Sequence, residues 1–149
     1  MTDFEIAFEI QAPPEVVWSH MRDVERWPEW TPTVRSVKLL DSGPLRAGSR
    51  AIIRQPKLPP AKWRVTELDD RGRSFTWVSA SPGVSVIARH WVEARGMNSR
   101  AILSLRFTGM FAGLLGRLTR GLNERYLALE GNGLKQRSES LTGSTGIPK

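Results

Sequence analysis

One histidine on an apolar strand face is the residue of this sequence best suited to chemistry. In the stretch 84–95, small apolar side chains alternate with more polar ones, which is typical of a strand with one buried face. The inward set is Val84, Val86, Ala88, His90 and Val92. A histidine in an apolar pocket can act as a general acid or base, or donate a hydrogen bond to a ligand carbonyl. A structural histidine explains the same pattern, so His90 is a candidate catalytic residue and no residue is a firm one.

Aromatic side chains on neighbouring strands could form the wall of a ligand pocket around His90. The alternation places Phe75, Trp77 and Phe107 on inward faces, and it groups Trp63 with Val65 and Glu67. Flat aromatic surfaces suit an apolar or ring-containing ligand. The predicted ligand-binding residues are Trp63, Phe75, Trp77, His90, Phe107, Leu115, Leu118, Leu122 and Tyr126. A filled core, in which the rings pack against one another, is the alternative for each aromatic residue taken alone.

The opposite wall would come from one long helix, predicted from about Met110 to Ser138. Apolar residues recur there at steps of three and four without an interrupting proline, and Glu130 falls mostly on the other side. The predicted inward stripe is Phe111, Leu115, Leu118, Leu122, Tyr126 and Leu129. Several glycines interrupt this pattern; they would allow either close packing against the helix or empty space beside it.

The rest of the chain supplies a sheet that can close over this helix. Alternation predicts a first strand around 4–10, followed by a short helix at 14–22 and a second short helical piece at 23–30. Six further strands are predicted at 34–41, 49–55, 62–69, 73–80, 84–95 and 99–108, with turn residues between them. We therefore predict an α+β fold: a curved antiparallel sheet of about seven strands wrapped around the C-terminal helix, with the first strand paired to the last. Residues 1–140 would form one domain, and 141–149 a disordered tail.

Composition excludes several classes of site. The chain has 149 residues, no cysteine, two histidines far apart in sequence and a net charge of +7. No cofactor and no metal site are predicted, because neither metal-ligand spacing nor a phosphate-binding glycine loop occurs. No apolar run is long enough for a membrane span, and the arginines are too scattered to indicate nucleic-acid binding. A cytoplasmic location is expected, and the oligomeric state stays open.

Several local segments resemble the START-like, or birch-pollen-allergen-like, helix-grip superfamily (SRPBCC). They are IQAPPEVVW at 10–18, DVERWPEW at 23–30, LRAGS at 45–49, WRVTE at 63–67 and FTW at 75–77. The chain is most similar to the polyketide cyclase/dehydrase and lipid-transport branch, over residues 3–138. The resemblance implies a deep, mainly apolar cavity between the sheet and the long helix.

Three functions fit these observations. The first is binding or transport of an apolar, lipid-like or aromatic, polyketide-like small molecule in the cavity. The second is a polyketide cyclase or dehydratase that uses His90 as its acid or base. The third is a protein-partner module with a vestigial cavity. The first needs only a cavity, whereas enzymatic activity needs a set of polar groups that the sequence alone does not assemble.

Overall fold

The elements of the protein follow the predicted order. The computed structural model describes the backbone of residues 2–146 and the side chains of residues 3–140. The strands are β1 (Thr2–Ile10), β2 (Ser36–Leu39), β3 (Arg50–Arg54), β4 (Ala61–Asp69), β5 (Ser74–Ser81), β6 (Val84–Arg95) and β7 (Asn98–Thr108). The helices are α1 (Pro14–Arg22), a 3₁₀ helix (Val24–Glu29), α2 (Ala112–Leu118) and α3 (Arg120–Gly146).

The seven strands form one curved antiparallel sheet in the order β1-β7-β6-β5-β4-β3-β2. The predicted pairing of the first strand with the last is confirmed: Phe4 lies opposite Leu105, and the register runs along the whole of β1. This pairing covers the free edge of β7. The predicted helix-grip α+β fold is therefore confirmed, and the sheet packs its concave face on the C-terminal helices.

Period-two alternation assigned most strand faces correctly. Phe75 and Trp77 on β5, and Ala88 and His90 on β6, are buried, as predicted. The exception is Glu67 on β4. A register shift between Val65 and Glu67 against β5 inserts a β-bulge, which turns Glu67 to solvent.

The predicted single helix is interrupted at Thr119. The backbone there has φ −105° and ψ 10°, and its hydroxyl donates to the Leu115 carbonyl oxygen at 2.7 Å. The backbone hydrogen-bond ladder still crosses the break, since the backbone N–H of Asn123 donates to the Thr119 carbonyl oxygen at 2.9 Å. The break is thus a bend between two helices. Thr119 stabilises it because its hydroxyl bonds to the preceding turn of the helix.

The inward position predicted for Leu118 is wrong. Leu118 is 72% exposed, and Phe111 is 52% exposed. In α2 the buried positions are Ala112 and Gly116, with Leu115 partly buried beside them, so Leu118 lies on the opposite face of the helix. Apolar residues occupy both faces of α2, and for that reason spacing alone selected the wrong stripe.

Two glycines of α3 serve close packing rather than empty space. A Cβ at Gly131 would collide with the ring of Phe8 on β1, and a Cβ at Gly133 would collide with the backbone oxygen of Trp30. By contrast, a Cβ at Gly121 would meet nothing within 4 Å. The backbone of α3 is helical as far as Gly146, within the segment 141–149 predicted as a disordered tail; residues 147–149 lie outside the described residues. Within residues 2–146, no helix combines the length and the apolar character needed to cross a membrane.

Candidate functional site

A cavity of about 370 Å³ lies between the sheet and helices α2 and α3. Its walls are mainly apolar, and several are aromatic. The sheet contributes Ile53, Ala61, Trp63, Trp77, Ser79, Val86, Ala88, His90, Leu103, Ser104, Leu105 and Phe107. The helices contribute Leu115, Thr119, Leu122, Asn123, Tyr126, Leu127 and Glu130. Trp27, Val34, Gln55, Leu58 and Pro59 complete the lining from the 3₁₀ helix and the loops.

All of the predicted ligand-binding residues line this cavity except Phe75 and Leu118. Leu118 points to solvent, as described above. Phe75 is buried behind the wall, where its ring stacks on His90 with centroids 4.4 Å apart and planes 8° apart. Phe75 therefore supports the wall and does not form it. Ligand binding by the remaining residues stays a prediction.

An aromatic cluster closes one part of the cavity. The ring of Trp27 lies 5.4 Å from that of Trp77 and 5.3 Å from that of His90, and Trp63 lies 5.7 Å from Trp77, centroid to centroid. The Trp27 indole N–H donates to the Met21 carbonyl oxygen at 3.0 Å, which fixes its ring against the sheet. The indole nitrogen of Trp63 is buried without a hydrogen-bond partner. That nitrogen is a free donor in the cavity wall.

His90 is a neutral side chain at physiological pH. Burial lowers the pKa of its imidazole to about 3, and a hydrogen bond with the Phe75 backbone opposes this shift in part. Its Nδ1 atom is buried and has no hydrogen-bond partner. A neutral imidazole can exchange hydrogen bonds with a ligand. It holds no ionisable proton for general acid catalysis near neutral pH.

Glu130 is the site residue that the sequence analysis placed on the wrong side of the helix. It lines the cavity, and burial raises the pKa of its carboxyl group to about 7, an effect that a hydrogen bond from Thr33 opposes. The inward positions of α3 include 122, 126, 130 and 134, which repeat every fourth residue. That spacing includes Glu130. The prediction excluded it because only apolar residues were counted in the stripe.

The cavity reaches the protein surface beside the loop between β3 and β4. Leu58 and Pro59 of this loop line the cavity and are also exposed. The Tyr126 hydroxyl on α3 donates a hydrogen bond to the carbonyl oxygen of Pro56, which ties the loop to the helix. The Tyr126 hydroxyl is therefore engaged in closing the mouth, while its ring faces the cavity.

This arrangement can bind a molecule mainly by surface burial. Most lining side chains are aliphatic or aromatic, and few polar groups are available to orient a ligand. Among the described lining residues, the two ionisable groups with strongly shifted pKa values are His90 and Glu130. Perturbed groups in a cavity are typical of functional sites, so both are candidate orienting residues.

The sequence matches a known protein family over nearly its full length. The family described as "Polyketide cyclase / dehydrase and lipid transport" matches residues 1–139. A comparison with curated proteins found no match.

Solved structures share the fold at low sequence identity. An aromatase/cyclase, Zhui, from a Streptomyces species is 17% identical, with a TM-score of 0.77 over 99% of both chains. A protein from Thermus thermophilus is 21% identical, with a TM-score of 0.73 over 94% of this chain and 99% of that one. The di-domain ARO/CYC protein BexL is 18% identical, with a TM-score of 0.70 over 91% of this chain and 46% of that one. Because these identities are low, the likeness establishes a shared fold only.

Proposed function

We propose that this chain, which belongs to the polyketide cyclase/dehydrase and lipid transport family, binds or carries an apolar, ring-bearing small molecule. The observation that supports this proposal is the cavity of about 370 Å³. Its volume falls in the usual range of small-molecule sites, and its walls combine aromatic faces with a few polar groups. A cavity of this size favours ligand binding over the third hypothesis, a protein-partner module with a vestigial cavity.

Burial of apolar surface would drive binding. A ring-sized group buries about 150–250 Å², which corresponds to about 4–6 kcal/mol of transfer free energy at about 25 cal/mol per Å². The lost translational and rotational freedom of the ligand offsets part of this gain. A fused two-ring compound gains up to about twice this amount, and after a loss of about 4 kcal/mol we expect a Kd between about 1 μM and 1 mM.

A second candidate function is a cyclase or dehydratase. The observation that favours it is Glu130, since a buried carboxyl group with its pKa near 7 can give or take a proton at neutral pH. His90 is less suited to the role of general acid because its imidazole is unprotonated there. Dehydration of a β-hydroxyketone probe by the wild type, and its loss in Glu130→Gln, would support this candidate.

Calorimetric titration with tetralin, a two-ring hydrocarbon, tests the binding proposal. The wild type should bind tetralin with one site per chain. Trp63→Ala should weaken binding at least about 5-fold, because one aromatic wall is removed. Trp91→Ala is the matched control, since Trp91 lies on the outer face of β6, where its indole nitrogen is 3.4 Å from Glu93. Absence of tetralin binding to the wild type, or equal losses in both variants, would contradict the proposal.

A further inference from the structure

Among the residues that the structure describes, the cavity lining has one carboxyl group, and no positive charge compensates it. Glu130 lines the cavity, and its only hydrogen bond or ion pair among the described residues comes from Thr33. The described lining residues include no Lys and no Arg. A buried carboxylate without a cationic partner is costly, so the neutral acid is favoured.

Two threonines orient this carboxyl group. The Thr33 hydroxyl donates to Glu130 Oε1 at 3.3 Å and lies 2.9 Å from the Thr31 hydroxyl oxygen. Thr31 also accepts a hydrogen bond from the Thr33 backbone N–H at 3.3 Å. Since the Thr33 proton is directed to Glu130, the proton between the two hydroxyls comes from Thr31. The chain of hydrogen bonds therefore runs from Thr31 through Thr33 to Oε1.

The direction of this chain decides which oxygen of the carboxyl group can donate. In the arrangement in which Thr33 donates to Oε1, the acid proton is carried by Oε2. No described residue bonds to Oε2. A ligand in the cavity can thus meet an O–H donor at Oε2, held in place by buried neighbours: Thr31 and Thr33 are 1% and 0% exposed.

We propose that Glu130 determines ligand specificity by donating a hydrogen bond from Oε2 to a carbonyl oxygen, so that the cavity prefers ketones or quinones to hydrocarbons of the same shape. This inference rests on the proposed binding function, because it names the polar group that such a ligand carries. Glu130, and not His90 as the sequence analysis expected, would then be the main polar contact of the ligand. Thr33 is a positioning residue.

Carbonyl compounds fit the site better than amines. An ammonium group would pair with the ionised carboxylate, which is the minor form below about pH 7. Burial raises the pKa of Glu130 to about 7, so the neutral donor is the main form at about pH 6 and below. Of the other described titratable side chains at the cavity, His90 is neutral and has a hydrogen bond with the Phe75 backbone, and the Tyr126 hydroxyl is bonded to Pro56.

Three probes with one carbon skeleton test the inference: tetralin, 1-tetralone and 1-aminotetralin. Calorimetric titration of the wild type at about pH 6 should give a Kd for 1-tetralone about 3–10-fold below that for tetralin, the ratio that one net hydrogen bond supplies. The preference should fall towards 1 at about pH 8.5, where the carboxylate cannot donate. The amine should bind more weakly than tetralin at about pH 6, where Glu130 is neutral.

Four variants identify the donor. Glu130→Leu should abolish the preference for the ketone, because tetralin and 1-tetralone then meet the same apolar wall. Glu130→Gln keeps an N–H donor, so it should retain the preference without its pH dependence. Thr33→Val should shift the midpoint of the pH dependence upward, because the Thr33 hydrogen bond lowers the pKa of Glu130. Trp63→Phe removes the other unpartnered donor of the wall and should leave the preference unchanged.

The outcomes separate this inference from the proposed function. If tetralin and 1-tetralone bind the wild type equally, or if Glu130→Leu retains the preference, the inference is wrong and the binding function stands. If the amine binds best at about pH 6, Glu130 acts as a counter-ion there and the inference is also wrong. If none of the probes binds, the proposed function fails, and the inference fails with it.

Discussion

Replacing leucines on the cavity side and the core side of α3 should have unequal costs. Leu134 is 1% exposed and packs in the core, whereas Leu122 is partly buried and lines the cavity. Leu134→Ala removes fully packed atoms and leaves a new void, so it should lower the free energy of unfolding by about 3–5 kcal/mol. Leu122→Ala removes atoms that already face empty space on one side, so about 1–2 kcal/mol is expected.

Urea denaturation, followed by far-ultraviolet circular dichroism, measures this difference. Both substitutions replace Leu by Ala within one helix, so intrinsic helix propensity contributes equally to each. The slope of free energy against urea should be the same in both variants, which shows that the unfolded states are comparable. Equal losses in the two variants, or a larger loss for Leu122→Ala, would refute the conclusion that Leu122 borders a cavity.

Individual contacts give three further predictions. Gly133→Ala should lower the free energy of unfolding by about 1–3 kcal/mol, because the new methyl group meets a backbone oxygen. Gly121→Ala should raise it by about 0.5–1 kcal/mol, because the methyl group meets no atom and alanine favours the helix. Equal effects of the two substitutions in thermal melts would contradict this. Tyr126→Phe removes the hydrogen bond to the Pro56 carbonyl oxygen, which ties the loop between β3 and β4 to the helix. The rate of 1-tetralone release, measured by stopped flow, should therefore increase, and an unchanged rate would contradict this role. The folded-state pKa of Glu130 is raised from 4.5 to about 7, so its contribution to stability is present below about pH 4.5 and is lost as the pH rises to about 7. The free energy of unfolding of Glu130→Gln relative to wild type should therefore increase over that interval. The contribution of His90 to stability is lost as the pH falls from about 6.5 to about 3, and this loss affects both proteins equally.

Much of the fold could be predicted because alternation and turn residues are local signals. The inward faces of β5, β6 and β7 follow directly from period-two patterns, and the order of elements requires a sheet around the C-terminal helix. The bulge that turns Glu67 outward could not be predicted, since it depends on pairing with β5. The bend at Thr119 likewise reflects a side-chain hydrogen bond to the preceding turn, which sequence periodicity does not encode.

The candidate site was only partly accessible from sequence. The aromatic wall with Trp63, Trp77 and Phe107 was found because strand faces were assigned correctly. Glu130 was missed because a charged residue was assumed to face water, although its spacing from Tyr126 places it inside. Whether the interior is filled or hollow depends on how closely the helices approach the sheet, and residue types alone do not determine that distance.

Calorimetric titration of 1-tetralone into a cavity-filling variant and its surface control tests the central claim most directly. Leu122→Trp places an indole in the cavity, whereas Leu118→Trp places the same side chain at a position that is 72% exposed. We expect 1-tetralone to bind the wild type and Leu118→Trp with the same Kd, and binding to Leu122→Trp to be at least about 10-fold weaker. Undiminished binding to a folded Leu122→Trp variant would place the ligand elsewhere and contradict the account.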